Sequence, residues 1–212
     1  MLTVLLEATN AWLVNIDNGL LNGVVFIDLT KAFDTIGQEI ILRVDQAAIK
    51  WFLSYLSART QRCNVSGKLS SAHTLSCGVP QGSILGPLLF LTYINDLRNS
   101  LRGTVQRMFA NDTNLMLSPK TLTDLKLALT PELNNLSCWQ KATKLSLNVA
   151  ETELMIIGSR QRLNAQSDDV EIRIDDQIIK RVDHTKSLGL TIDAQLPWVN
   201  TLSKFARKSP QL

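Results

Sequence analysis

Two kinds of periodicity alternate along the chain. Val24-Val25-Phe26-Ile27 is an unbroken β-branched and aromatic run, entered through the turn-prone Asn22-Gly23 and left at Asp28. With no polar position inside it, the run predicts a strand buried on both faces. Ala48, Ile49, Phe52, Tyr55 and Leu56 recur at helical spacing and predict a helix over 45–56. Polar and apolar positions alternate over 59–75 around Ser66-Gly67-Lys68, which predicts a hairpin. Gly78-Val79-Pro80-Gln81-Gly82 is punctuated as a loop. Ser83 is placed to cap the helix that follows, and Pro87 is tolerated near its first turn.

Further on, Met108-Phe109-Ala110 and Leu115-Met116-Leu117 read as strand arms, with the polar Asn111-Asp112-Thr113-Asn114 between them as a hairpin tip. Thr121 and Asp124 have the spacing of a capping box for a helix with Leu122, Leu125 and Leu129 on one face. Pro131 is expected to interrupt that helix or start another. Residues 154–157 predict an apolar strand closed by Gly158, and 171–175 and 178–182 two arms turned by Asp175-Asp176. A last strand is expected over 188–192 and a short helix over 198–208. Because several strand pairs read as hairpins, pairing is antiparallel and the fold class is α+β, an antiparallel sheet with helices on one face.

Composition changes this picture little. The 212 residues are 45% hydrophobic and 19% charged, ordinary globular values that allow a sizeable core. A net charge of +3 permits nucleic-acid binding without arguing for it. Cys63, Cys77 and Cys138 are far apart, no C-x-x-C spacing occurs, and His73 and His184 are the two histidines, so a zinc site is not expected. The thiols read as free in a reducing compartment. The N-terminus has no basic segment, Glu7 interrupts its apolar run, and the apolar stretch 84–94 is too short to span a bilayer. These features predict a soluble intracellular protein, in cytoplasm or nucleus, with no membrane partner.

Two carboxylates stand out as candidate chemistry. Asp28 ends a buried apolar run, where an unpaired charge is costly. Alone, it reads first as a helix N-cap. Asp112 alone reads as a turn former. Brought together, two such groups repel one another, and a divalent cation relieves the repulsion. Mg²⁺ takes carboxylate oxygens and keeps water and substrate phosphates as its other ligands.

The words around these residues carry a resemblance. Val25-Phe-Ile-Asp28-Leu-Thr-Lys-Ala-Phe-Asp34 resembles motif A of reverse transcriptases. Gly78-Val-Pro-Gln-Gly-Ser-Ile-Leu-Gly-Pro-Leu-Leu-Phe90, with Tyr93-Ile-Asn-Asp-Leu97, resembles motif B. Phe109-Ala-Asn-Asp112 is similar to motif C, whose family pattern is aromatic-Ala-Asp-Asp. Leu147-Asn-Val-Ala-Glu-Thr152 resembles motif D, and Lys186-Ser-Leu-Gly-Leu-Thr-Ile-Asp193 looks like the segment that grips the primer. Order and spacing resemble the LINE-type, non-long-terminal-repeat retrotransposon branch.

The resemblance implies a polymerase palm with an antiparallel sheet flanked by helices, partial fingers and a largely missing thumb. It divides the chain into 1–44 (start of palm, motif A), 45–77 (fingers-like helix and hairpin), 78–160 (palm with motifs B, C and D) and 161–212 (palm hairpin, primer-grip-like strand, start of thumb). It implies two Mg²⁺ or Mn²⁺ ions, both bound by Asp28, with Asp112 a supporting carboxylate beside them and Asn111 at the remaining ligand position, and as partners an RNA template, a DNA primer and deoxynucleoside triphosphates. Lys31 and Ala32 would offer backbone N–H groups to the triphosphate, and Phe33 would lie under the sugar and exclude a 2′-hydroxyl. Gln81 would touch nucleotide and template, with Gly82 allowing close approach. Leu188 and Gly189 would lie near the primer.

Three departures from the pattern qualify that expectation. Asn111 stands where motif C has its first Asp, a direct metal ligand, and Glu151 stands where motif D has Lys. The link around Arg43 is short for the helix and turn the family has there. The chain therefore reads as a partial, degenerate reverse transcriptase, inactive or severely impaired. The alternative is a palm that only binds nucleic acid or protein.

Overall fold

The computed structural model describes residues 2–30, 32–37, 46–109, 112–165 and 170–196. Asn111, Lys31, the link around Arg43 and the helix expected over 198–208 lie outside them.

The architecture is mixed α and β with mostly antiparallel pairing. Its centre is β1 (Asn22–Ile27), buried at all six positions as its unbroken apolar run requires. Antiparallel neighbours flank it, β8 (Asp112–Leu117) on one side and β10 (Glu153–Ile157) on the other. Beyond β8 lies β7 (Val105–Phe109), antiparallel. Beyond β10 lies the short β13 (Lys180–Arg181), the one parallel pairing among the described strands.

Side chains alternate across a strand, so the sheet has two distinct faces. Val25, Ile27, Leu115, Leu154 and Ile156 point to the back and meet the helices α3 (Leu85–Ile94) and α5 (Leu122–Thr143) through Leu89, Phe90, Leu125, Leu129 and Leu133. Val24, Phe26, Met116, Met155 and Ile157 point to the front. There they pack against Leu5, Ala8 and Trp12 of α1 (Leu2–Asp17) and against the hairpin of β14 (His184–Ser187) and β15 (Leu190–Asp193). Helices therefore do not keep to one face as expected. The sequence reading overlooked α1, although Leu5, Ala8 and Trp12 recur at helical spacing. Trp12 donates its indole N–H to the Met116 sulfur, 3.0 Å away, and fixes α1 on the sheet.

Three other local expectations change. Pro131 lies inside α5 without ending it. Thr121 does cap its start, its hydroxyl accepting the Asp124 N–H at 3.1 Å and donating to the Asp124 carboxylate at 2.8 Å. Asp112, Thr113 and Asn114 belong to β8 itself, so the polar quartet is not a hairpin tip. The pair Phe109↔Asp112 leaves just positions 110 and 111 between the strands. Leu188-Gly189 is the two-residue turn between β14 and β15, not the start of a strand. Both residues have positive φ, 49° and 78°, as the twist-matched two-residue turn requires. The helix α2 (Gln46–Leu56) and the exposed hairpin of four short strands, β3 (Thr60–Gln61), β4 (Asn64–Val65), β5 (Lys68–Leu69) and β6 (His73–Thr74), form as expected. A short α4 (Leu97–Ser100) follows α3, and β11 (Arg173–Ile174) pairs with β12 (Gln177–Ile178). Among the described residues no helix is long and apolar enough to cross a membrane.

Candidate active site

Antiparallel register brings the two candidate carboxylates together. Phe26 pairs with Asn114 and Ile27 with Thr113, the last paired step, and Asp28 follows Ile27 as Asp112 precedes Thr113. Alternation puts both on the front face, in line with Phe26 and Asn114. That end of the front face opens into a cleft of about 580 Å³ lined by Asp28, Asp112, Glu151 and Glu153. His184, Thr185 and Lys186 of the β14–β15 hairpin form the facing wall. One wall is thus acidic and the other carries Lys186.

Asp28 sits just beyond β1 and is held from the 146–152 segment. The short strands β2 (Leu29–Thr30) and β9 (Ser146–Leu147) pair antiparallel beside it. Asn148 then makes two contacts. Its backbone N–H donates to the Asp28 carbonyl at 2.9 Å, and its Nδ2 donates to Asp28 Oδ2 at 2.9 Å. The buried Thr152 donates its hydroxyl to the Asn148 carbonyl at 2.9 Å and accepts the Asp28 N–H at 3.4 Å. Glu153 accepts the Thr185 hydroxyl and lies 3.8 Å from Lys180 Nζ, which ties the hairpin wall to the sheet.

The remaining candidates fall in two groups. Glu151 lines the cleft, delivered by the tight turn in which its N–H donates to Asn148 O at 3.2 Å. Ala32, Phe33, Gln81, Gly82, Leu188 and Gly189 are not among the lining residues. Ala32 is buried in the back core, and Phe33 packs on Phe90 with ring centroids 4.8 Å apart. Gln81 is exposed and donates to Asp34 Oδ1 at 2.8 Å. Gly82 has φ +76° and open space where a side chain would stand. Leu188 buries its side chain against the front-face cluster while its backbone turns the hairpin. Asn148, Thr152 and Glu153 were not singled out from sequence, although the first two stand inside the motif D segment.

Among the described residues, no three His, Cys, Asp or Glu side chains gather as a complete metal cluster. Asp28, just past the end of β1, and Asp112, at the start of β8, supply hard oxygen donors to one cleft. That matches Mg²⁺, which binds through one or two carboxylates and leaves other positions to water and phosphate. The residues present fit such an ion as a partial, open site.

Residues 8–192 match the family model described as reverse transcriptase (RNA-dependent DNA polymerase). The chain belongs to the reverse transcriptase family. It is 28% identical over 204 residues to the probable RNA-directed DNA polymerase from transposon BS of Drosophila melanogaster, covering 88% of this chain and 22% of that one. It is 24% identical over 183 residues to the RNA-directed DNA polymerase from mobile element jockey of the same fly, covering 81% and 19%. The chain thus spans about a fifth of the length of these curated relatives. With them it is a reverse transcriptase domain of the LINE type. Apo telomerase from Candida tropicalis, truncated from the C-terminal domain, aligns over 89% of this chain and 38% of its own. Its identity is 13% and its TM-score 0.46, too slight a likeness to carry an argument. All the cleft carboxylates of this reverse transcriptase domain lie within the matched span.

Proposed function

We propose that this chain carries the nucleotide-addition centre of an RNA-directed DNA polymerase, with the five-stranded sheet as its palm, and that Asn111 leaves that centre with little activity. The observation that supports the reading is one open cleft lined by both Asp28 and Asp112, just past the last paired step Ile27↔Thr113. Bound Mg²⁺ or Mn²⁺, two ions in the intact family, would supply the positive charge that activates a primer 3′-hydroxyl and steadies the triphosphate. Asp28 and Asp112 hold that charge at the sheet end. Asn111 replaces a third carboxylate with an amide, whose oxygen coordinates without contributing charge.

The other roles follow in the same reading. Lys31 and Ala32 present backbone N–H groups to the triphosphate. Phe33, fixed against Phe90, keeps one edge for the sugar and excludes a 2′-hydroxyl. Gln81 and the unobstructed Gly82 meet nucleotide and template. Leu188 and Gly189, the turn of the hairpin that carries Lys186, would contact the primer. Glu151 adds a negative charge where the triphosphate enters. Template RNA, DNA primer and deoxynucleoside triphosphates are the partners, and the work is done inside the cell. A second reading, a palm that binds nucleic acid without catalysis, is favoured by Asn111 and Glu151 alone.

Divalent-cation titration tests the reading without needing turnover. Mn²⁺ should bind the Asn111→Asp variant more tightly than the natural chain. Equal affinity in the two would show that position 111 does not serve the cation.

A further inference from the structure

We infer that Asn148 is a positioning residue that sets the Asp28 carboxylate for the cation. The inference rests on the reading of Asp28 as a cation-holding group. An ionised carboxylate can only accept hydrogen bonds, so the Asn148 amide must turn its nitrogen toward Oδ2, as found at 2.9 Å. Beside this bond three others close a ring. Asn148 N–H reaches the Asp28 carbonyl, the Thr152 hydroxyl reaches the Asn148 carbonyl, and Asp28 N–H returns to Thr152 Oγ1. The backbone of Asp28 is thereby held by Asn148 and Thr152 and its side chain by Asn148, at a point where β1 has ended.

The chemistry of the donor explains why an amide serves here. A lysine or arginine would also hold Oδ2, but it would neutralise the charge a cation needs and compete for the same oxygen. A neutral amide orients the carboxylate and leaves its charge intact. Groups that orient a metal ligand in this way raise metal affinity by about ten- to a hundredfold. The same turn carries Glu151 into the cleft that Asp28 lines.

Mn²⁺ affinity of the full chain, read by water-proton relaxation, tests this. Asn148→Leu keeps the side chain's size and removes its donor, while the backbone bond to the Asp28 carbonyl is available to any residue. Asn148→Ser is the companion should Leu impair folding, which thermal melting would report. Asp28→Asn is the reference, and the double variant Asp28→Asn/Asn148→Leu closes a cycle. Asn148→Leu should weaken Mn²⁺ binding about tenfold or more, and should have no further effect once Asp28 is Asn. Unchanged affinity in both Asn148 variants, with binding lost in Asp28→Asn, would overturn the inference alone. Equal further weakening in the Asp28→Asn background would assign Asn148 a merely structural role and overturn it too. Failure of Asp28→Asn to reduce binding would instead overturn the reading on which the inference rests.

Discussion

Alanine at Gly78 and at Gly82 makes an unusually clean pair of perturbations. Both glycines stand at φ +76°, in the left-handed region, so alanine meets the same backbone penalty at each. That penalty is about 1–2 kcal/mol. The surroundings differ. A Cβ at Gly82 meets nothing within 4 Å, whereas one at Gly78 falls 2.7 Å from the Asp34 carbonyl oxygen and 2.9 Å from the Asp34 Cα. Those are backbone atoms, and no rotamer change moves them. Relief requires separating 33–37 from the 78–82 loop, which the Gly78 N–H to Ile36 and Val79 N–H to Phe33 bonds, each 2.8 Å, hold together. Losing two such bonds adds about 1–3 kcal/mol. Gly78→Ala should therefore cost about 2–5 kcal/mol and Gly82→Ala about 1–2 kcal/mol. Urea unfolding of the natural chain and the two variants, compared at constant m, measures the difference. Equal losses would refute the claim that the motif A and motif B segments are locked through this contact.

Two other outcomes are expected. Tyr93 donates its hydroxyl to the Thr143 carbonyl and accepts the Gly37 N–H, so Tyr93→Phe should cost about 1–3 kcal/mol by urea unfolding. Burial, opposed by the Gly37 bond and assisted by Asp96, pushes the Tyr93 pKa above 10.0. The unfolded chain then ionises first, so this residue's contribution is complete below about pH 10 and lost as pH rises through the folded value. Ultraviolet titration in a Tyr55→Phe background should place the Tyr93 transition above that of free tyrosine. Along the outside of α3, Ile84, Leu88 and Leu91 form a stripe exposed by 94%, 54% and 46%. Such a stripe favours association, so sedimentation should show concentration-dependent self-association of this chain that Leu88→Glu reduces. A monodisperse monomer would contradict it.

The elements legible in the sequence were those whose pattern has one physical solution. An unbroken run such as 24–27 can only be buried on both faces, and a Thr121/Asp124 pair before a leucine stripe can only start a helix. Pro131 was misread because its missing N–H and ring are tolerated within a long packed helix. The turn expected across 111–114 fails because Asp112 and Asn114 are strand residues whose polarity answers to the cleft. Asn114 faces the cleft beside Asp112, while Thr113 is buried on the back. Of the site, the carboxylates were visible because motif words surround them. Asn148 and Thr152 were not, since nothing local marks an amide as the partner of a residue so distant in sequence. Leu188 shows the same limit: its side chain reads as core, and its backbone makes a turn.

Primer extension on an RNA template, with the natural chain, Asn111→Asp and Glu151→Lys side by side, tests the central claim most directly. Losing one preorganised electrostatic contact costs roughly 3–4 kcal/mol, about a hundred- to a thousandfold in rate, and a direct metal ligand should cost at least that. The natural chain should extend the primer little or not at all. Asn111→Asp should raise extension by about a hundredfold or more, and Glu151→Lys by less, because an exposed charge is screened by salt. Robust extension by the natural chain, or no gain from Asn111→Asp in a folded protein that binds template and primer, would contradict the account.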